Sequence, residues 1–432
     1  MFGPLSRRSF VKAGGITGLG ALARPGVAAV PAGTFPRSFL WGAGTAAHQV
    51  EGNNVNNDLW LIEGLPEAGF AEPSGDAIDQ YHRFANDIAL LAKLGLNTYR
   101  FSVEWARIEP REGAFSVAEL DHYRAVLRVC RAAGLKTVVT LHHFTSPLWL
   151  ARRGGFTNLA SVALFARYAA RVVEHCGDLI DYVSTFNEAN MSFTSYVPPA
   201  VVGRMLDAAR KASGSADFSC FLFDDVAVSK PIVRAAHAAA RTAIKAKRPA
   251  LPVGLTLAMD DVQDAPDAPG LGKAEQSHRY DVWLEAARGD DYLGVQNYTR
   301  VRIGAKGPIA LPAGVPVTQL HQEVYPQSLG NVVRYAASVV RVPIIVTEHG
   351  IGTEDDGLRG RFIRESLAGL RACIADGIDV RGYCHWSAFD NYEWSFGYGP
   401  KFGLIAVDRT TQKRTLKPSA MLYGSIARSG TI

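Results

Sequence analysis

Eight short runs rich in β-branched and apolar residues recur along this chain, with helical patterns between them. The runs cover residues 39–43, 98–103, 136–144, 182–186, 253–258, 292–298, 343–347 and 380–387. Amphipathic helical patterns occupy 78–94, 120–133, 159–175, 229–247, 327–338 and 360–375. Glycine stands just beyond several of these, at Gly95, Gly134, Gly177 and Gly377, where helices commonly end. Strands separated by helices pair side by side through crossovers, so the sheet they build is parallel. Eight such units in one chain predict an α/β fold, a single (β/α)8 TIM barrel with long βα loops. A length of 432 residues would otherwise suggest two or three domains, but α/β barrels routinely exceed that prior. No repeat, low-complexity tract or linker marks a second domain, so residues 30–432 are expected to form one barrel. The stretches 200–225 and 304–317 read as loops over the barrel mouth.

The first 29 residues form a separate unit. Ser6-Arg7-Arg8-Ser9-Phe10-Val11-Lys12 precedes an apolar Gly/Ala-rich run to about Ala23, then Val27-Ala28-Ala29. This resembles a twin-arginine export signal cleaved near Ala29. The apolar run is too short and too glycine-rich to span a bilayer comfortably. The expected location is periplasmic or extracellular in a bacterium, with no membrane association after signal removal. Residues 1–30 also hold four of the 46 basic residues and no acid; without them 42 bases face 41 acids. Such a balance offers no basic patch, and nucleic acid is not an expected partner. Cys130, Cys176, Cys220, Cys373 and Cys384 are widely spaced with no CxxC pair, which argues against a zinc site or disulfide framework. Buried free thiols are the simpler expectation, with a Cys176–Cys220 pair left open.

Polar and aromatic residues gather where the strand runs stop. The first run leads to His48-Gln49-Val50-Glu51-Gly52 and the second contains Arg100-Phe101-Ser102. The third ends in His142-His143-Phe144, the fourth in Asn187-Glu188 and the sixth in Gln296-Asn297-Tyr298. The seventh ends in Glu348-His349-Gly350, and the eighth leads through Trp386 to Asn391-Tyr392-Glu393-Trp394. In a barrel these ends surround one pocket. Any one of them alone is as readily a turn, core or salt-bridge residue. Together they offer carboxylates and amides for hydroxyl groups and tryptophans for the weakly apolar faces of sugar rings. Two glutamates facing one cavity are the equipment for cleaving a glycosidic bond. His142, His143 and His385 have no carboxylate at helical i+4 spacing, so neither a metal nor another cofactor is implied.

In these motifs the chain resembles glycoside hydrolase family 1, the β-glucosidase family. The N-terminal signature is matched by Phe39-Leu40-Trp41-Gly42-Ala43-Gly44-Thr45-Ala46-Ala47-His48-Gln49-Val50-Glu51-Gly52. Thr185-Phe186-Asn187-Glu188-Ala189-Asn190 resembles the acid/base motif TFNEPN, and Val346-Thr347-Glu348-His349-Gly350 the nucleophile motif TENG. His385-Trp386-Ser387 and Asp390-Asn391-Tyr392-Glu393-Trp394 resemble the C-terminal sugar-binding block. The matches are collinear over nearly the whole chain after residue 30.

The resemblance implies a retaining β-glycosidase acting on terminal non-reducing β-D-glucosyl residues, with galactosyl or fucosyl variants. A small β-glycoside is then the partner. Glu348 would be the nucleophile and Glu188 the general acid/base, with carboxyls roughly 5–5.5 Å apart. Arg100 and Tyr298 would donate to Glu348, and Asn187 would bind the sugar 2-hydroxyl. Gln49, His143, Glu393 and Trp394 would hold the other hydroxyls, with Trp386 as the stacking floor. A carboxylate at Glu393 suits free hydroxyls and repels phosphate, which implies an unphosphorylated glycone. A transglycosidase on the same site is an alternative, as is a non-catalytic carbohydrate-binding protein on the same fold. The chain departs from the pattern at His349 for asparagine, at Ala189 for proline, and at Phe144-Thr145-Ser146 in the third-strand motif. His349 either adds a titrating neighbour to Glu348 or is a packing change, and packing is the expectation.

Overall fold

The computed structural model describes residues 33–432, so the export signal at 1–29 lies outside the described residues. Eight parallel strands close into a barrel. They are β1 (Leu40–Gly44), β2 (Thr98–Ser102), β3 (Lys136–His142), β4 (Tyr182–Phe186), β5 (Val253–Ala258), β6 (Tyr292–Asn297), β7 (Ile344–His349) and β8 (Val380–His385). Each pairs with its neighbours in chain order, and β1 meets β8 with Leu40 opposite Gly382 and Ala43 opposite His385. All eight expected strands are present. The third run ends at His142, because Phe144 turns away with a φ of 72°.

Helices cover the outside of the barrel, so strands are buried on both faces. Every residue of β7 is buried, for example. This is why the strands appear as continuous apolar runs rather than alternating ones. The seam between the first and last strands has its own fastening. The Tyr423 hydroxyl, on the C-terminal helix Pro418–Ser429, lies 2.8 Å from the Gly42 carbonyl on β1 and 3.0 Å from the Tyr383 carbonyl on β8.

Four sequence expectations are refined. Residues 200–225 are not all loop, because Pro199–Ser213 is a helix. Proline at its first position suits helix initiation, and Val202, Met205 and Ala209 form one buried face. This helix packs on the short helical segments Asp58–Glu63 and Pro66–Ala68 in the connection after β1, which places it over the mouth. The 304–317 stretch begins within a small sheet, where Arg300–Gly304 pairs with Gly307–Pro308 and with Asp261–Asp264. Gly177 does not adopt the left-handed conformation of Gly95, Gly134 and Gly377; the helix Ser161–Cys176 runs on into it with a φ of −64°. The five cysteines are all buried and free, so Cys176 and Cys220 form no bond with each other. No helix among the described residues is long and apolar enough to cross a membrane.

Candidate active site

The C-terminal ends of the strands converge on a polar centre. Arg100, from β2, is fully buried and donates through one nitrogen to Glu348 Oε1 and through the other to Asn187 Oδ1, both at 2.5 Å. The Tyr298 hydroxyl, just past β6, donates to Glu348 Oε2 at 2.5 Å. Both oxygens of Glu348 are therefore held by strong donors from two other strands. Glycine is required next to this carboxylate's strand end. A Cβ on Gly350 would lie 1.9 Å from the Trp386 carbonyl oxygen.

Glu188 has no comparable donors among the described residues. It is buried, follows the end of β4, and has a φ of 40°. Its backbone is pinned instead: its N–H donates to Thr256 Oγ1 at 3.0 Å. Burial pushes its carboxyl well above the ordinary range, and the charge of Glu348 pushes it further. Burial also raises Glu348, but the Arg100 cation and the Tyr298 and Arg100 hydrogen bonds oppose the shift. The first proton to leave the pair therefore comes from Glu348. Tyr298 is pushed well above its usual range by burial and by Glu348, so it remains a donor.

The remaining site residues form a continuous lining. Gln49 Nε2 donates to the Tyr392 carbonyl at 2.6 Å and stands 3.4 Å from Glu393 Oε2. This leaves the buried Gln49 Oε1 without a partner among the described residues. Glu393 also accepts from Trp386, and burial followed by the Glu348 charge lifts its pKa to about 8. The His143 ring stacks on Trp386, at 5.8 Å, and on Trp394, at 6.1 Å. Burial and the Arg100 cation hold it far below its normal pKa, hence neutral. All ten residues singled out from the sequence are brought into this one centre: Glu188, Glu348, Arg100, Asn187, Tyr298, Gln49, His143, Trp386, Glu393 and Trp394. No group of three or more histidine, cysteine, aspartate or glutamate side chains with metal-binding geometry occurs among the described residues.

His349 belongs elsewhere. Successive strand residues face opposite sides, so with Glu348 inward His349 points to the helix layer. It stacks on Phe362 at 4.7 Å and lies 3.0 Å from the Tyr383 hydroxyl, with its pKa pushed down to about 3 by burial. It is a packing residue.

Two residues that join this geometry have no role assigned from the sequence. Gln296 donates to Asn187 Oδ1 at 2.7 Å, and Thr256 lies 3.1 Å from Gln296 Oε1. The available signal for Gln296 was the two-residue period of its strand, which puts it on the same face as Tyr298. For Thr256, inside an apolar run, there was none.

The pattern of glycosyl hydrolase family 1 matches residues 31–276 and 294–431. The chain belongs to glycosyl hydrolase family 1. That makes it a β-glucosidase-like enzyme rather than a binding module. A β-glucosidase from Agrobacterium sp. is 30% identical over 92% of this chain and 96% of its own. A β-galactosidase from Saccharolobus solfataricus is 28% identical over 92% of this chain and 96% of its own. Among solved structures, the crystal structure of the β-glycosidase BGL167 superposes with a TM-score of 0.88 at 51% identity, covering 92% of this chain and 98% of that one. Family-1 membership thus accounts for the barrel and for the collinear motifs at its strand ends.

Proposed function

We propose that this protein is a retaining β-glycosidase that removes terminal non-reducing β-D-glucosyl residues by a double displacement at Glu348 and Glu188. One observation carries the assignment of roles: Glu348 is held by Arg100 and Tyr298 at 2.5 Å each, whereas the buried Glu188 carboxyl has no such donors. The charged carboxylate attacks the anomeric carbon. The protonated one gives its proton to the departing glycosidic oxygen. Once Glu348 has become a neutral ester its field on Glu188 disappears. The pKa of Glu188 falls, and Glu188 then accepts a proton from water as that water attacks the anomeric carbon and Glu348 leaves as a carboxylate. Two inversions return the β configuration.

The lining supports an unphosphorylated sugar. Glu393 with Gln49 offers acceptors for ring hydroxyls, and Glu393 forms no ion pair with lysine or arginine among the described residues, as a phosphate would need. Glucose is the proposed glycone. Galactose is its nearest rival because a relative of similar identity carries the name β-galactosidase. Small shifts around Gln49 and Glu393 would decide between them.

The test is chemical rescue of the mature chain on aryl β-glucosides. Glu348→Gly should lose activity by on the order of 10⁴-fold or more and regain it with azide, releasing the α-glucosyl azide. Glu188→Ala with azide should release the β-azide. Wild-type activity in Glu348→Gly would end the proposal. We also propose twin-arginine export from Arg7 and Arg8; replacing both with lysine should retain the protein in the cytoplasm, and undiminished secretion would refute it.

A further inference from the structure

We propose that Lys230 is a positioning residue for the turn that carries Glu188, and that it acts on aglycone departure through that turn. The inference rests on Glu188 as the general acid.

Glu188 sits in the left-handed backbone region, with a φ of 40°. A glutamate does not stay there unless its surroundings hold it. On the side facing β5 the turn is well fastened. Ala189 N–H donates to the Thr256 carbonyl at 3.0 Å. The Asn190 side chain donates to the Ala258 carbonyl at 2.7 Å and accepts from Ala258 N–H at 2.9 Å. Met191 N–H closes the turn onto the Glu188 carbonyl at 2.7 Å.

Among the described residues, the opposite side is held by a single side chain from outside the barrel. Lys230 lies on the helix Val226–Lys247, and its ammonium donates to the Ala189 carbonyl at 3.3 Å and to the Met191 carbonyl. It also stands 4.6 Å from the centre of the Phe221 ring. Lys230 is buried and makes no ion-pair contact with a carboxylate among the described residues, although the buried Asp224 acts on it through space. A buried cation whose carboxylate partner is out of contact is costly, and it persists where its donors are all engaged. Here two carbonyls and an aromatic face take them, and both carbonyls belong to the three residues that follow Glu188. The sequence offers no hint of this, because Lys230 lies 41 residues from Ala189 on a helix otherwise read as barrel packing.

Misplacing a general acid has a signature that loss of folding lacks. A 2,4-dinitrophenolate leaves without a proton, whereas an alkoxide does not. The parameter kcat/KM covers only the steps up to aglycone departure. It should be measured for the mature protein on 2,4-dinitrophenyl and methyl β-glucosides, in wild type, Lys230→Met, Lys230→Gln and Glu188→Ala. In both Lys230 variants the methyl glucoside should lose about 10- to 100-fold, the penalty of roughly 1 Å of misplacement, and the dinitrophenyl glucoside less than about threefold. Lys230→Gln keeps a polar head at the site and serves where Lys230→Met does not fold. Equal losses on both substrates, or no loss on either, in a folded variant would overturn the inference. Absence of selectivity in Glu188→Ala would instead remove the acid assignment itself, so the two failures are distinguishable.

Discussion

Gln296 Nε2 donates to Asn187 Oδ1 across 2.7 Å, and this contact decides which way the Asn187 amide faces. Arg100 donates to the same oxygen from the other side. With its oxygen doubly engaged, Asn187 has a buried Nδ2 that bonds to no atom of the described residues. A buried amide N–H2 with no partner is a donor held ready for a ligand. If the ligand atom is the sugar 2-hydroxyl, the contact strengthens as the ring flattens toward the transition state.

Replacing Gln296 with leucine should therefore act through the 2-hydroxyl. The Asn187 amide loses one of its two anchors and can turn. We expect kcat/KM on an aryl β-glucoside to fall by about 10-fold or more, the cost of roughly one well-placed hydrogen bond to a charged or developing centre. On the corresponding 2-deoxyglucoside the same substitution should cost far less. Equal losses on both would show that Gln296 acts through packing or through its hydrogen bond to Glu348 rather than through Asn187.

The pKa of Glu188 should depend on the charge at Glu348. The Glu348 charge raises it, so removing that charge must lower it. Carbon-13 titration of the Glu188 carboxyl in wild type and Glu348→Gln measures this directly. A midpoint in the variant at or above the wild-type value would contradict the proposed exchange of roles between acid and base.

His349→Asn should leave the pH limits of kcat/KM where they are in wild type. His349 faces Phe362 and Tyr383, and its pKa of about 3 keeps it neutral across the working range. The substitution removes a stacked ring, and a stability loss of about 1–3 kcal/mol is expected. A displaced acidic or basic limb would restore His349 as a titrating neighbour of Glu348.

Asp58 makes stability pH-dependent. It is buried beside the Cys220 thiol, its Oδ1 accepts from the backbone N–H groups of Leu59 and Ser146, and its Oδ2 has no hydrogen-bond partner in reach among the described residues. Burial lifts its pKa to about 8. The unfolded value is about 3.9, so between the two the folded state holds the extra proton. The associated stability is complete below the unfolded pKa and is lost as pH rises through about 8. Asp58→Asn keeps the accepting oxygen and cannot ionise, so its melting temperature should decline less than that of wild type between about pH 5 and 8. Parallel curves would show that other groups set the trend.

Much of the fold was legible because its determinants are local. The eight strands are buried on both faces and so read as unbroken apolar runs, and most helices between them carry a single apolar stripe. The helix Pro199–Ser213 reads as loop in the sequence although Val202, Met205 and Ala209 repeat at helical spacing. Its flanks are rich in proline, glycine and serine, and those loop signals outweighed the stripe. Among the site residues, Glu188 and Glu348 were legible from strings of five or six amino acids at strand ends.

What the sequence by itself determined is the alternation of strands and helices, the residue types at each strand end, and through their order the family. Only the tertiary structure decided which of those residues touch. Arg100 meets Glu348 across 248 positions, Gln49 meets the Tyr392 carbonyl across 343, and Gln296 meets Asn187 across 109. It also turned His349 away from its neighbour Glu348 and brought Lys230 to the carbonyls beside Glu188. The physical reason is that apolar periodicity is a property of each segment, whereas the direction of a polar side chain is set by partners that barrel closure supplies from other strands.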